Sequence, residues 1–286
     1  MTSDTKKFLL IVVAFHPPEE LVLRLEEVLL AGFDLAIYDN SPTGAQLLKP
    51  LYERCIWYVA TAENKGLGTG MHQLLNAAQK AGYQWAVYMD QDTRFSTQSL
   101  QWMQTQLQNK ADFWVQTAAV QFKGVVGTKA AHLQSQDLLI NSGTAFYLPN
   151  LLKWGGPDPA FFVECVDYKC SLDVAHQGLQ LWQWTGCPDF DHDSLQPLVQ
   201  YQWQARHFNY RPYPWQRHRA FLVALLRLVG LAIQRKQYRY ARLFFRNVFT
   251  HLLTQIQAAI LYSASKLGVV KKICSFVIVI FNMLVL

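Results

Sequence analysis

Two carboxylates one residue apart, Asp90 and Asp92, close the apolar run Trp85–Met89 in the segment Tyr88-Met89-Asp90-Gln91-Asp92-Thr93. If that run is a strand, both acids stand at its exposed carboxyl end. Such paired hard-oxygen donors bind Mg²⁺ or Mn²⁺ and bridge it to phosphate. A second acidic group lies in Phe161-Phe162-Val163-Glu164-Cys165-Val166-Asp167-Tyr168, where aromatic and apolar neighbours would desolvate a carboxyl and make it a better base. The same acids would also suit a helix start, near its positive end. A third group, Asp189-Phe190-Asp191-His192-Asp193, puts a histidine among three carboxylates, as a metal ligand or as a surface switch. Lastly, the glycines of Asn64-Lys65-Gly66-Leu67-Gly68-Thr69-Gly70 permit close backbone approach to a phosphate or sugar. This run has no Gly-Lys-Ser/Thr and follows the third apolar run instead of the first, so it is neither a P-loop nor a dinucleotide fingerprint.

The elements that must hold these groups follow from hydrophobic patterning. Phe8–Ala14, Leu35–Tyr38, Ile56–Ala60 and Trp85–Met89 read as strands, and Glu20–Leu30 and Gly68–Ala81 as helices between them. Alternating strands and helices imply parallel pairing through right-handed crossovers, hence a doubly wound α/β sheet with its polar groups at the carboxyl edge. The stretch from Ser99 to Asp193 is mixed. A strand is expected within Leu138–Leu148, around Asn141-Ser142-Gly143, and another over Leu179–Trp184 before Gly186.

Charge divides the chain further. The first 193 residues carry thirteen basic and twenty acidic side chains, a net of −7, whereas the rest carry thirteen basic side chains and no acid. From about Tyr213 the pattern becomes long basic, apolar helices, Gln216–Lys236 and Tyr238–Lys266, before the apolar tail Ile273–Leu286. As a helix that tail would span about 21 Å, against a hydrocarbon core of roughly 30 Å, so it inserts partway or lies in the interface. The expected division is a catalytic domain over residues 1–205 and a basic helical extension over 206–286. Its polyanionic partner is read as an anionic membrane surface and not nucleic acid. A helical subdomain packed on a catalytic core is the plainer alternative. The five cysteines show no CxxC or zinc spacing and read as reduced thiols, and the polar N-terminus gives no secretory signal.

In order, these segments resemble the family 2 glycosyltransferases of GT-A fold, most closely the bacterial rhamnosyltransferase-like branch, from about Phe8 to Asp193. Val12-Val13-Ala14-Phe15-His16-Pro17 is similar to that family's first strand and turn, and Tyr38-Asp39-Asn40-Ser41 to its second strand with the acid that reads the base. Asn64-Lys65-Gly66 is similar to its Asn-x-Gly, Asp90-Gln91-Asp92 to its DxD, and Asn141-Ser142-Gly143 to its acceptor-side segment. The resemblance implies a nucleotide-sugar site of Ala14, Phe15, Asp39, Asn64, Gly66, Asp90 and Gln91. It also implies Asp167 as general base with Glu164 as the next candidate, and Asp92 and His192 as ligands of a divalent Mg²⁺ or Mn²⁺. Inverting transfer of one sugar is the implied reaction, with dTDP-rhamnose the favoured donor and UDP- or GDP-sugars next. The acceptor would be a lipid-linked or cell-surface saccharide, at the cytoplasmic face of the bacterial inner membrane. His72 replaces a usual Asn, Asp173 replaces a usual Arg after the base helix, and no QxxRW is present, which disfavours processive synthesis. A sugar nucleotidyltransferase is the rival enzyme, though His16-Pro17-Pro18 is not the basic glycine-rich loop expected after its first strand. A non-enzymatic membrane adaptor is the rival outside enzymes, and it leaves Asp92, Asp167 and His192 without a purpose.

Overall fold

In the computed structural model the strand β1 (Phe8–Ala14) is buried along its whole length, as a continuous apolar run must be when both sheet faces are covered. It pairs in parallel with β2 (Asp34–Asp39) and with β4 (Trp85–Met89), while β3 (Trp57–Ala60) adds in parallel to β2. The structure describes residues 8–42, 46–108, 111–125, 131–191, 199–203, 206–210 and 214–267.

The intervening helices are α1 (Glu19–Leu30) and α2 (Gly66–Lys80), followed by α3 (Thr97–Gln108). Leu21, Leu25 and Val28 of α1 and Leu100, Met103 and Leu107 of α3 cluster with Leu10, Val12, Ala14 and Val87 on one face of the sheet. On the other face α2 approaches so closely that a Cβ on Gly70 would lie 2.9 Å from Val13 Cγ2 and from the Tyr38 ring. Glycine is therefore demanded here by contact between helix and sheet. This is the doubly wound, mixed α/β arrangement expected from the alternating pattern.

The second half of the sheet is mixed. β5 (Thr117–Gly124), β6 (Leu133–Gln136), β7 (Thr144–Tyr147) and β8 (Gln180–Cys187) complete an eight-stranded order β3-β2-β1-β4-β7-β5-β8-β6. β7 runs antiparallel to both β4 and β5, whereas β5 and β8 are parallel. The strand expected within Leu138–Leu148 is β7, but its expected centre, Asn141-Ser142-Gly143, is the turn that leads into it. Gly143 takes a left-handed φ of +72°, which a strand does not use. A single turn α4 (Leu151–Trp154) precedes α5 (Val166–His176).

Contacts divide the chain into two compact units, Met1–Leu195 and Gln196–Leu286. The second holds an antiparallel ribbon, β9 (Val199–Trp203) with β10 (Arg206–Tyr210), and the helices α6 (Trp215–Gln234) and α7 (Tyr238–Leu267), which pack on each other. No described helix is long and apolar enough to cross a membrane. The tail at residues 273–286 lies outside the described residues.

Candidate active site

The carboxyl ends of β1, β2 and β4 converge, and their turns are stitched to one another. Gln91 clasps the first turn with both ends of its amide. Phe15 N–H donates to Gln91 Oε1 at 2.8 Å, and Gln91 Nε2 donates to the Phe15 carbonyl at 3.1 Å. His16 N–H donates to Ser41 Oγ at 2.9 Å, and Asn40 N–H to the Ala14 carbonyl at 2.8 Å. The predicted residues Ala14, Phe15 and Gln91 thus meet in one place, across 76 positions of sequence.

Asp39 ends β2 fully buried. Its Oδ1 accepts the Ser41 N–H at 2.9 Å and its Oδ2 accepts the Tyr58 hydroxyl at 2.6 Å. Burial and this bond raise the Tyr58 phenol far above its ordinary range, so it stays a donor. The next loop is closed locally. Asn64 Oδ1 accepts the Gly66 N–H, and Asn40 holds both sides of it through Lys65 N–H and the Gly66 carbonyl.

The glycines of this loop face protein, where the sequence suggested a phosphate or sugar. A Cβ on Gly66 would lie 2.5 Å from the Phe162 carbonyl oxygen, and one on Gly68 2.3 Å from that of Phe161. The N–H groups of Leu67 and Gly68, at the start of α2, donate to the Phe162 carbonyl at 2.5 and 3.3 Å. These two donors of the helix start are therefore already in use.

The Asp90-Gln91-Asp92 turn follows β4, as predicted. Asp90 N–H donates to Ser142 Oγ at 3.0 Å, and its Oδ1 accepts the Tyr88 hydroxyl at 2.6 Å. Burial, then the charges of Asp90 and Asp92, push the Tyr88 phenol well up, which keeps its proton on. Asp92 is half-buried and no described side chain hydrogen-bonds or ion-pairs with it. Ser142 and Thr93 share a 2.5 Å contact beneath the turn, so the Asn141-Ser142-Gly143 segment supports the DxD from below.

Asp167 stands in the first turn of α5, after Cys165 at a left-handed φ of 63°. Its Oδ1 accepts the Tyr168 N–H at 2.9 Å. The carboxyl is half-buried by surface yet densely surrounded by protein, and it is pushed up to about 7. Desolvation is the largest cause, and the charges of Asp90 and Glu164 add to it while hydrogen bonds from Tyr168 and Asp167 N–H oppose it. The charge of Asp90, in the predicted DxD, thus reaches the predicted base.

His192, the predicted late ligand, lies outside the described residues. The chain just before it is pinned to the DxD side, since Arg94 and Asp191 exchange two backbone hydrogen bonds of 2.9 Å. Phe190 is buried against two glycines. A Cβ on Gly143 would lie 2.4 Å from its ring, and one on Gly124 2.1 Å from its carbonyl oxygen.

Among the described residues no three His, Cys, Asp or Glu side chains gather as a metal cage. The donor set still fits a hard divalent cation shared with a diphosphate, which takes one or two carboxylates from the protein. Asp92 is available, Asp90 adjoins it, and the charges raising Asp167 are of one sign.

Two departures noted in the sequence find local partners. His72 Nδ1 lies 2.9 Å from the Pro157 carbonyl oxygen, and Asp173 Oδ2 accepts from buried Lys169 Nζ at 2.5 Å. Sequence reading gave no role to the supporting residues Tyr58 and Lys169, and named Tyr88, Ser142 and Phe162 only as members of the segments around Asp90, Gly143 and Asp167. Tyr88 carried a signal of its own, two positions before Asp90 in an otherwise apolar run. The four described cysteines are free thiols, and burial raises Cys165, Cys170 and Cys187 away from the thiolate.

No family model matches the chain, and no curated protein does. Among solved structures it is similar to S. aureus TarS, with a TM-score of 0.44 and 12% identity over 63% of this chain and 36% of that one. It is also similar to GalNAc-T7 with UDP, GalNAc and Mn²⁺, with a TM-score of 0.47 and 9% identity over 66% of this chain and 45% of that one. The chain thus matches less than half the length of either.

Proposed function

We propose that the chain is an inverting, metal-dependent glycosyltransferase that moves a single sugar from a nucleotide-sugar to a lipid-linked or cell-surface saccharide. Rhamnose is the favoured sugar. The observation that carries this reading is the pairing of a desolvated carboxyl, Asp167, with the DxD turn at the carboxyl edge of a doubly wound sheet. A carboxyl held near 7 is ionised in a substantial fraction of molecules at neutral pH and is a far stronger base than an exposed aspartate.

In the proposed reaction the acceptor hydroxyl gives its proton to Asp167 while its oxygen bonds to the anomeric carbon. The bond from that carbon to the diphosphate oxygen breaks on the opposite face, and its electron pair leaves with the nucleoside diphosphate. A divalent cation held by Asp92 and His192 would supply the positive charge that this leaving group needs. Asp90 and Glu164 keep the base environment negative, and the Gln91–Phe15 clasp holds the donor turn against the DxD.

The reading puts the reaction at the cytoplasmic face of the membrane, and the exposed side of α6 is what favours a membrane. Opposite the buried positions Leu225, Leu228 and Ala232, α6 exposes Trp215, Val223, Leu226 and Ile233, with Arg219 and Arg227 beside them. Apolar rows bordered by arginine suit a helix lying in an anionic interface. Flotation with anionic vesicles tests this: wild type should float and a Leu226→Glu/Ile233→Glu variant should not, while equal flotation of both would remove this face from the reading.

The enzymatic reading is tested by screening detergent-solubilised protein against nucleotide-sugars with and without Mn²⁺ or Mg²⁺, scoring thermal shift and slow donor hydrolysis. A metal-dependent response to one donor is expected. Silence of the folded protein across all donors would overturn it.

A further inference from the structure

Two residues beyond the base, in the same helical turn, the side chain of Lys169 is only 7% exposed. A buried ammonium needs counter-charges, and this one has two from different places. Asp173, one turn along α5 and also buried, accepts from its Nζ at 2.5 Å. Asp158, in the loop before the helix, lies 3.4 Å away through Oδ2 and is 30% exposed.

The second partner is the informative one. The Asp173 pair is internal to α5, whereas the Asp158 pair joins α5 to another segment. Asp158 organises its own loop, since its Oδ1 accepts the Ala160 N–H at 2.9 Å and its carbonyl accepts the Phe161 N–H at 3.0 Å. That loop is fastened in turn to α2. The Phe162 carbonyl receives Leu67 and Gly68 N–H, the Pro157 carbonyl lies on His72, and a Cβ on Gly68 would lie 2.7 Å from the Asp158 carbonyl oxygen. α2 begins with the Asn64-Lys65-Gly66 turn that Asn40 holds beside Asp39.

We infer that Lys169 is a positioning residue, tying the start of the base helix to the loop that caps the donor-side helix α2 and so setting where Asp167 stands. The inference rests on the reading of Asp167 as general base. It accounts for a lysine buried beside an active carboxyl, and for an aspartate at 173 where the resemblance leads one to expect arginine. With the cation at 169, the pair on α5 needs its anion at 173, and the same cation reaches the loop.

Removing Lys169 outright would leave two carboxylates facing each other and could prevent folding. Asp158→Asn is the cleaner variant: its amide oxygen still accepts from Ala160 N–H, and Lys169 keeps Asp173. Two readouts apply, steady-state kinetics with the donor found in the screen, and hydrogen–deuterium exchange of residues 157–162 and 166–170. Asp158→Asn should speed exchange in both segments and lower kcat about tenfold with donor KM within about twofold, because small displacements of a reacting group cost rate more than binding. Lys169→Arg, which keeps the charge, should retain most of the activity. Unchanged exchange in either segment, or an unchanged kcat in folded Asp158→Asn, would overturn the inference. Exchange judges the tie even if no donor turns over, so its failure is distinguishable from failure of the glycosyltransferase reading.

Discussion

Asp39 and Asp167 are the same side chain in different surroundings, the one ending β2 and the other in the first turn of α5. Asp39 is fully buried with both oxygens bonded, to Ser41 N–H and to the Tyr58 hydroxyl. Asp167 keeps a solvent-reachable edge, receives the Tyr168 N–H, and faces the like charges of Asp90 and Glu164. Burial alone therefore does not raise a carboxyl towards neutrality or make it a base. What matters is whether the desolvated charge is repaid by donors or left to compete with other anions.

The sharpest break of this comparison is Asp167→Asn, which should lower turnover by about 10²–10⁴-fold with donor binding retained, as measured by kcat and donor titration. Near-normal turnover would remove Asp167 from the base role. The same variant should gain stability at high pH. The folded carboxyl is raised from its ordinary 3.8 to about 7, so the native state holds this proton more tightly than the unfolded chain. Stability contributed by the protonated group is therefore full below pH ~4, lost as pH rises towards ~7, and flat beyond. Metal-free Asp167→Asn should match wild type near pH 4 and exceed it at pH 8, by about 4 kcal/mol at most. Urea unfolding at both pH values checks the sign.

Asp39→Ala should do the reverse, costing about 1–3 kcal/mol because it leaves the buried Ser41 N–H without its acceptor and takes one partner from the Tyr58 hydroxyl, with its effect on unfolding larger than on kcat. A pH–rate profile gives the next effect in size. kcat/KM should rise up to tenfold per pH unit below about 7 and level above it, a limb that Asp39 variants keep and Asp167→Asn loses. The smallest expected effect is that of Tyr88→Phe. It removes one hydrogen bond to Asp90 and should change turnover by only severalfold, about 1 kcal/mol, measured in the same assay.

Much of the candidate site was legible in advance because parallel strands buried on both faces write themselves as unbroken apolar runs. Phe8–Ala14 and Trp85–Met89 are predicted and observed with the same ends, and the second of these placed Asp90 and Asp92 at a strand terminus. The mixed half was less legible. Thr117–Gly124 and Leu133–Gln136 carry Gln, Thr and Ser among apolar residues and give no clean period. Asn141-Ser142-Gly143 reads as strand only until the left-handed φ of Gly143 is known.

By itself the sequence determined the alternation of strands and helices, the acidic groups at their ends, and the concentration of positive charge after Asp193, since each is a property of neighbouring residues. Which of those groups meet is settled by the fold. The Gln91 amide meets Phe15 across 76 residues, the glycines after Asn64 seat against Phe161 and Phe162, and Lys169 reaches Asp158 in another segment. Such pairings depend on the crossover connections that bring distant turns to one edge. The shift of Asp167 is likewise a property of that gathering, because desolvation and the fields of Asp90 and Glu164 exist only once the chain has closed around it.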